Sequence, residues 1–268
     1  MDKFQKISYD LISLPLVGLR GLRSVIFHFA WKDIKVKHRG SYLGLLWTAL
    51  EPTLLFLFLY LVFSNIRVRT QEDFAIYLLI GIILYHTFSR ATQRGMTSLR
   101  DNSAILTTMN IKREFFPVVS TTSSTILMIV EIGVFFALLP IFQFIPTWTV
   151  LLLPIVFGLL LVLILGMSYL LSIVYTRVRD IHPLWAVIVH ALFFLTPIFW
   201  YLEDVNGLIL QVHQFNPIGL IVELGHKLVF NEIPTWQEWT HVTIMVFGIL
   251  FVGYAVFQKY QKNALEQM

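Results

Sequence analysis

Two carboxylates, Glu51 and Glu131, lie inside long apolar stretches of this sequence. An ionised side chain is costly in hydrocarbon, so each is expected to face the protein interior or a water-filled cavity. Each is a functional candidate, and a structural hydrogen bond to a neighbouring helix explains it equally well. The sequence contains no G-x-x-x-x-G-K-[ST], no H-E-x-x-H and no G-x-S-x-G, so catalysis by this chain has no recognisable motif.

Histidine is the main candidate for metal binding, because the chain has no cysteine. The eight histidines show no close metal-ligand spacing. The lack of cysteine excludes both disulfides and thiolate metal sites. We therefore expect no metal site, no catalytic residue and no cofactor in this chain.

Aromatic residues make up 15% of the chain and recur in two apolar segments. In the first, Phe56, Tyr60 and Phe63 follow i, i+4, i+7 and share one helical face, while Trp47 and Glu51 lie on another. The second segment contains Phe193, Phe194, Trp200 and Tyr201. Aromatic faces suit the C–H faces of sugar rings, by analogy with aromatic and cation contacts. The alternative is rings that face lipid, with Trp and Tyr in interfacial belts.

The composition identifies the environment in which these residues lie. Of 268 residues, 57% are hydrophobic and 13% are charged, whereas a soluble domain has about 25% charged residues. The mean hydropathy is +0.73. These values exclude an ordinary cytosolic enzyme, a disordered chain and a secreted disulfide scaffold, and they predict a membrane protein.

Six segments are long and apolar enough for a helix to cross about 30 Å of hydrocarbon. The sequence therefore predicts an all-α integral membrane protein with six transmembrane helices. A 45-residue stretch without Asp, Glu, Lys or Arg, residues 132–176, is broken by Pro140 and Pro146 into two of them. The predicted spans are residues 43–66, 74–95, 116–140, 148–175, 181–201 and 239–257.

The distribution of basic residues predicts the orientation of these spans. Seventeen of the 20 Lys and Arg residues fall in the N-terminal arm, in the connections after the second and fourth spans, and in the C-terminal tail. Basic residues mark the cytoplasmic face, so both termini are expected inside. We divide the chain into a cytoplasmic arm, residues 1–42, and a transmembrane domain, residues 43–268.

Two cytoplasmic segments are not spans. The arm contains a basic amphipathic helix around Trp31 that suits the membrane interface, where it either anchors the chain in lipid or docks a partner. The polar connection 98–114 predicts a short helix through Ala104–Met109, with Asp101, Asn102 and Ser103 as N-cap candidates. It either contacts a soluble partner or is a solvated loop.

The longest outer connection, residues 202–238, contains two apolar pieces too short to span, residues 208–215 and 218–230. Asn216-Pro217 is a helix-start signal for the second piece. Short apolar segments of this kind are typical of re-entrant or interfacial helices. They either cap a pathway on the outer face or rest on lipid.

Four stretches carry motifs that appear together in one family: Lys35–Ser64, Asp101–Ser120, Arg177–Trp200 and Phe215–Phe230. In the first, a basic helix leads into G-x-L-W…E-P, from Gly44 to Pro52. In this order, over about the whole chain, the four stretches resemble permease subunits of ABC type-2 polysaccharide and O-antigen exporters. Related sequences often carry an Arg shortly after the N-P segment, where this chain has His226 and Lys227.

The resemblance implies a transport subunit in the bacterial inner membrane. It implies a homodimer paired with two ATPase subunits that bind ATP and Mg, and a lipid-linked glycan as substrate. The implied pathway residues are Trp47, Glu51, Phe56, Tyr60, Phe63, Phe193, Phe194, Trp200 and Tyr201. The implied ATPase-coupling residues are His28, Trp31, Lys32, Lys35, Asp101, Asn102, Ser103 and Met109. The implied periplasmic gate contains Asn216, Pro217 and Glu223.

Two alternatives stay open. The first is a related type-2 permease for a teichoic-acid-like polymer, a capsule or a drug. The second is an intramembrane glycosyl- or acyltransferase that uses His or Glu in a lipid-facing cleft. The missing acid/base motif argues against the transferase.

Overall fold

The computed structural model describes residues 19–37, 40–63, 71–108 and 111–261, and within these ranges all regular secondary structure is helical. Short 3-10 turns lie at Leu139–Phe142, Trp148–Leu152 and Leu202–Asp204. The α-helices in these ranges are α1 (Leu19–Lys37), α2 (Leu46–Phe63), α3 (Gln71–Asp101), α4 (Ser103–Thr108), α5 (Phe115–Leu138), α6 (Leu153–Arg177), α7 (Ile181–Leu195), α8 (Leu208–Gln214), α9 (Pro217–Val229) and α10 (Trp236–Tyr260).

Among the described residues, five helical segments are long and apolar enough to cross a membrane. The apolar helix α7 is shorter, at 15 residues. The chain is therefore a multi-pass helical membrane protein, as predicted. The short helices α8 and α9 precede the last span, and α4 lies where the short cytoplasmic helix was expected. The five long segments are Leu46–Phe63, Asp73–Asp101, Phe115–Phe142, Trp148–Arg177 and Trp236–Tyr260.

Helix α7 ends at Leu195, six residues before the predicted end of the fifth span. Proline disfavours the helical conformation of the residue before it, and Thr196, which precedes Pro197, has φ −97° and ψ 136°. The chain then runs without a helix to Tyr201. The Tyr77 hydroxyl fixes this segment, because it lies 3.1 Å from the Pro197 carbonyl and 2.9 Å from the Trp200 carbonyl.

Helix α3 continues to Asp101, beyond the predicted end of the second span at Gly95. Its buried face continues through Met96 and Leu99, so burial of apolar side chains supports the extra turns. Arg100 lies in its last turn, where a cation interacts favourably with the helix dipole. Its guanidinium also donates to the Tyr175 hydroxyl at 3.2 Å.

The bundle is built around α3. In the spanning part of α3, 83% of the residues are buried, whereas in α2 and α10 the buried share of residues is 17% and 22%. Helices α2, α5, α6, α7 and α9 all pack against α3. Among the described helices, α2 makes extensive contacts only with α3 and α5. It therefore lies at the edge of the bundle.

Small residues allow α6 and α10 to approach closely. A Cβ atom placed on Gly253 would lie under 3.0 Å from the Gly166 carbonyl oxygen, and a Cβ on Gly166 would meet the backbone of Leu250. Close backbone approach through small residues is a common way to pack membrane helices. The two glycines therefore fix the distance between α6 and α10.

The amphipathic helix α1 packs its apolar side on α5. Ala30 and Ile34 are buried, the Ser123 hydroxyl donates to the Ala30 carbonyl at 3.2 Å, and the rings of Phe29 and Phe115 make an edge contact at 5.3 Å. The opposite side of α1 is exposed. The predicted amphipathic helix is thus attached to the bundle and not only to lipid.

Candidate functional site

An open cavity of about 600 Å³ lies between α2, α3 and α7. We call this cavity the groove. Helix α2 contributes Glu51, Leu55, Leu59 and Phe63. Helix α3 contributes Ile82, Tyr85, His86, Ser89, Arg90 and Gln93. Helix α7 and the segment after it contribute Val189, His190, Phe193, Phe194 and Phe199.

One end of the groove is aromatic. The rings of Phe63 and Phe199 stack at 5.2 Å with planes 22° apart, and Phe193 lies 5.8 Å from Phe199. Tyr85 meets Phe193 edge-on at 5.3 Å, and the Tyr85 hydroxyl donates to the Val189 carbonyl. Phe194 is exposed beside this cluster. The contiguous rings offer apolar faces and edges without a deep binding pocket.

The other end of the groove is polar and is organised by Glu131 on α5. Glu131 is completely buried and accepts hydrogen bonds from the Thr87 hydroxyl at 2.7 Å and from Nη1 of Arg90 at 2.6 Å. Its carboxylate also lies 3.1 Å from Nδ1 of His86. A buried carboxylate with a paired cation and further donors has its desolvation cost offset. Glu131 lies behind the wall of the groove and positions two side chains that line it.

His86 joins the two intramembrane carboxylates. Its Nδ1 faces Glu131, and its Nε2 lies 3.4 Å from Oε2 of Glu51. The Glu51 side chain is 66% exposed, whereas that of Glu131 is fully buried. Only a protonated imidazole donates from both ring nitrogens, so simultaneous donation to both carboxylates requires the charged form of His86. The two carboxylates therefore differ in role: Glu131 supports the wall, and Glu51 is presented to the groove.

The structure brings four of the nine predicted pathway residues into the groove, namely Glu51, Phe63, Phe193 and Phe194. Trp47 is exposed near the start of α2, outside the groove. Phe56 and Tyr60 stack on each other at 5.6 Å and both make edge contacts with Phe142. Trp200 donates its indole N–H to the Phe194 carbonyl. Tyr201 is buried, and the centre of its ring lies 4.4 Å from that of Tyr77.

The polar groove residues of α3 were not predicted from the sequence. His86, Ser89, Arg90 and Gln93 share one face because they are spaced by three or four residues. This polar stripe inside an otherwise apolar segment was the available signal. The predicted pathway relied on aromatic residues of the first and fifth spans, so the second span was overlooked.

Ion pairs around Glu223 join the short helices that precede the last span to the start of that span. His213 on α8 lies 2.9 Å from Glu223, and Lys227 lies 3.1 Å from it and also pairs with Glu238 on α10. Burial alone raises the pKa of the Glu223 carboxyl, but the His213 hydrogen bond and the Lys227 ammonium together lower this pKa below its ordinary value. These pairs connect α8, α9 and α10.

Helix α9 is also attached to the N-terminal part of α3. His226 stacks on the Tyr77 ring at 3.6 Å and its Nε2 lies 2.9 Å from the Tyr77 carbonyl. Burial lowers the pKa of His226 to about 3, so it is neutral at physiological pH. At the start of α9, Asn216 precedes Pro217 and its side-chain amide donates to the Thr196 hydroxyl at 3.1 Å.

A second cavity, of about 480 Å³, lies between α1, the α3–α4 connection and α5. Lys32, Asp101 and Asn102 line it. Asn102 also bonds to the Ser98 carbonyl at 2.8 Å. The other described residues of the predicted coupling surface do not line this cavity. Trp31 is exposed, and the Lys35 ammonium lies 5.7 Å from the centre of its ring. Nδ1 of His28 lies 2.7 Å from the Ser24 carbonyl within α1. Ser103 is the first residue of α4. Met109 lies outside the described residues.

Comparison with known proteins identifies the class to which this arrangement belongs. A sequence model described as ABC-2 type transporter matches residues 24–230, which include the groove and α9. The chain belongs to the ABC-2 type transporter family. Membership makes it a transport subunit and not an enzyme, and implies a partner ATPase subunit.

Similar members of the ABC-2 type transporter family align with nearly the whole chain. The O-antigen export system permease protein RfbA of Myxococcus xanthus is 25% identical over 253 residues, which cover 92% of this chain and 96% of that protein. The Klebsiella pneumoniae protein of the same name is 21% identical, covering 85% and 88%. The polysialic acid transport protein KpsM of Escherichia coli is 22% identical, covering 87% and 92%.

The described residues of this ABC-2 transporter chain contain no group of three or more His, Cys, Asp or Glu side chains arranged to hold a metal ion. Three charged or titratable groups of the groove, Glu51, His86 and Arg90, form an ion-pair network with Glu131. The groove therefore combines an aromatic surface with a hydrogen-bonded ionic cluster.

Proposed function

We propose that this chain is the membrane-spanning subunit of an ATP-driven exporter that moves a lipid-linked polysaccharide, O-antigen-like in class, from the cytoplasmic to the outer side of the bacterial inner membrane. The observation that carries the proposal is the groove, which combines an aromatic wall with a polar end beside a spanning helix. The name and near-complete alignment of the Myxococcus xanthus relative support the choice of substrate.

The aromatic end of the groove fits a polymer that must slide. A single aromatic contact contributes about 0.5–1.5 kcal/mol, so each ring holds a sugar weakly and releases it again. Phe63, Phe193 and Phe199 form a continuous cluster. Weak repeated contacts allow movement of a long chain, whereas one deep site would retain it.

The assembly that we propose is a homodimer with two ATPase subunits, which hold the ATP and Mg. Helix α2 presents Leu54, Phe58 and Leu61 as exposed apolar side chains at the edge of the bundle, and a second copy beside α2 would enclose the groove. The cavity lined by Lys32 and Asp101 is the proposed docking region for the ATPase, with residues 1–42 as a cytoplasmic arm.

The basic residues support the proposed orientation, with both termini in the cytoplasm. The described members of the cytoplasmic set lie in α1, in the second half of α3, in the α4–α5 connection, at the α6–α7 junction and at the end of α10. On the opposite side, α8 and α9 with Asn216, Pro217 and Glu223 form the proposed outer gate.

A polysaccharide with acidic sugars is the second candidate substrate. The Escherichia coli relative named for polysialic acid transport is as similar to this chain, in identity and coverage, as the Klebsiella pneumoniae O-antigen permease. The groove holds a cationic side chain, Arg90, that is suited to an acidic sugar.

Export can be tested with paired leucine substitutions that keep apolar volume and remove the aromatic rings. Phe63→Leu with Phe193→Leu should slow export, with lipid-linked glycan accumulating inside cells while the protein level is unchanged. The matched control is Phe247→Leu with Phe251→Leu, because both rings are exposed on α10 and lie outside the groove.

Complete loss of the chain should abolish surface glycan and give the same internal accumulation. Unchanged surface glycan in cells without the chain would contradict the proposed function. Conversion of a lipid-linked sugar by the purified chain alone would favour the transferase. Normal export by the Phe63–Phe193 pair would contradict the aromatic wall only.

A further inference from the structure

Glu51 is the charged group that the groove presents most openly. Its side chain is 66% exposed, whereas those of His86 and Arg90 are 13% and 12% exposed. His86 and Arg90 also face Glu131, which compensates positive charge from behind the wall. A molecule that enters the groove therefore meets mainly the carboxylate of Glu51.

One oxygen of this carboxylate is available to a ligand. Oε2 of Glu51 lies 3.4 Å from Nε2 of His86. Within the described part of the chain, Oε1 makes no hydrogen bond or ion pair. The contact with His86 restricts the position of the carboxylate, while most of the side chain stays accessible. An ionised carboxylate only accepts hydrogen bonds, so Glu51 offers an acceptor to a donor on the ligand.

His190 offers a second acceptor, on the α7 wall of the groove. Its Nδ1 lies 2.6 Å from the Ala186 carbonyl. A carbonyl oxygen only accepts, so Nδ1 carries the hydrogen, and in the neutral ring Nε2 is then an acceptor. His190 is exposed, lines the groove and precedes Phe193 by one helical turn. An acceptor and an aromatic ring therefore share one face of α7.

These groups restrict the chemistry of the ligand. Glu51 and His190 both accept hydrogen bonds, so the ligand has to donate them. Sugar hydroxyls donate, and the C–H face of the same sugar suits the rings of Phe193 and Phe199, which lie 5.8 Å apart in the groove. The carboxylate of an acidic sugar only accepts, and it is repelled by the charge of Glu51.

We propose that Glu51 is the specificity-determining residue of the groove, because its carboxylate accepts hydrogen bonds from the hydroxyls of a neutral sugar unit that stacks on Phe193 or Phe199. His190 accepts from the same unit or the next one. The inference rests on the proposed export function and adds to it a preference for neutral over acidic glycans. It therefore distinguishes the two candidate substrates.

The test is the binding of two oligosaccharides to the complete assembly with its ATPase in nanodiscs of phosphatidylcholine, with dissociation constants from saturation-transfer NMR. One probe is a neutral mannose oligosaccharide, and the other is an oligomer of sialic acid of the same length. Glu51→Leu removes the acceptor, so affinity for the neutral probe should fall about tenfold, as expected for a hydrogen bond to a charged group.

A second variant makes opposite forecasts for the two probes. Glu51→Gln keeps an acceptor and removes the charge, so affinity for the neutral probe should fall about threefold, while affinity for the acidic probe should rise severalfold. His190→Leu should also weaken binding of the neutral probe. Glu232→Leu is the matched control, because Glu232 is an exposed carboxylate outside the groove. Glu51 and His190 are exposed as well, so unfolding midpoints should stay at the parent value.

The proposal is overturned if the neutral probe binds Glu51→Leu as tightly as the parent, or if Glu232→Leu weakens binding equally. It is also overturned if Glu51→Gln fails to raise affinity for the acidic probe. The proposed export function is judged separately, by glycan accumulation in cells without the chain. Export that still depends on the chain, with sugar binding insensitive to Glu51, would leave the function and remove the role of Glu51.

Discussion

Replacing Glu131 with alanine removes the acceptor of the Thr87 hydroxyl and of Nη1 of Arg90, and the carboxylate that faces His86. Arg90 then stays in the wall with no paired anion at all. Breaking a buried ion pair by removing one partner costs about 3–5 kcal/mol. We expect Glu131→Ala to lower the free energy of unfolding by that amount.

Glu51 provides a control that contacts the same histidine. Its carboxylate lies 3.4 Å from Nε2 of His86, but its side chain is 66% exposed. An exposed ion pair contributes about 0–1 kcal/mol because water solvates and screens both charges. Glu51→Ala should therefore change stability little, although it removes a charge of the same sign from the same network.

The assay is unfolding of the purified protein in detergent, with folded protein measured by size-exclusion chromatography after heating or denaturant treatment. Glu131→Gln keeps volume and an acceptor but loses the charge, so it should fall between the parent and Glu131→Ala. Similar midpoints for Glu131→Ala and Glu51→Ala would refute the reasoning, because they would mean that burial does not separate the two carboxylates.

Three further outcomes are expected. Gly253→Ala should destabilise the protein because its methyl group meets the backbone of α6, whereas Gly248→Ala, with no neighbour within 4 Å, should not; midpoints in the same unfolding assay decide this. Burial lowers the pKa of His226 to about 3, so below about pH 6.5 the unfolded chain gains a proton that the folded chain does not. The free energy of unfolding should therefore fall by about 1.4 kcal/mol per pH unit as the pH drops from 6 to 4. His226→Gln should lose that slope. In the cysteine-free chain, a cysteine at Asn206 should react with an impermeant thiol reagent in intact cells and one at Arg179 should not; the reverse labelling would invert the topology.

The spans were predictable because one physical requirement dominates them, namely the length of apolar helix that crosses hydrocarbon. Their ends were less predictable because local contacts decide them. Helix α7 ends at Leu195 because Pro197 disfavours the helical conformation of Thr196, and α3 continues past Gly95 because Met96 and Leu99 remain buried.

The groove was only half predictable, because helical periodicity gives a residue's face but not its neighbour. Phe56, Tyr60 and Phe63 share a face in sequence, yet Phe56 and Tyr60 pack against Phe142 while Phe63 stacks on Phe199. Which face of α2 meets α3 and α7 depends on contacts between distant segments, and a single sequence does not contain them.

The same contacts determine which helix moves at least cost. Displacing α3 would disrupt the buried Glu131 network and a spanning segment in which 83% of the residues are buried. In α2 only 17% of the residues of the spanning segment are buried, and its ion pair with α3, between Glu51 and His86, is exposed. Since exposed pairs contribute about 0–1 kcal/mol and buried pairs several times more when broken, the energetic barrier lies inside the α3–α5 unit and not along the α2–α3 boundary. Helix α3 therefore holds the polar end of the groove in place, and displacing α2 costs less free energy than displacing α3.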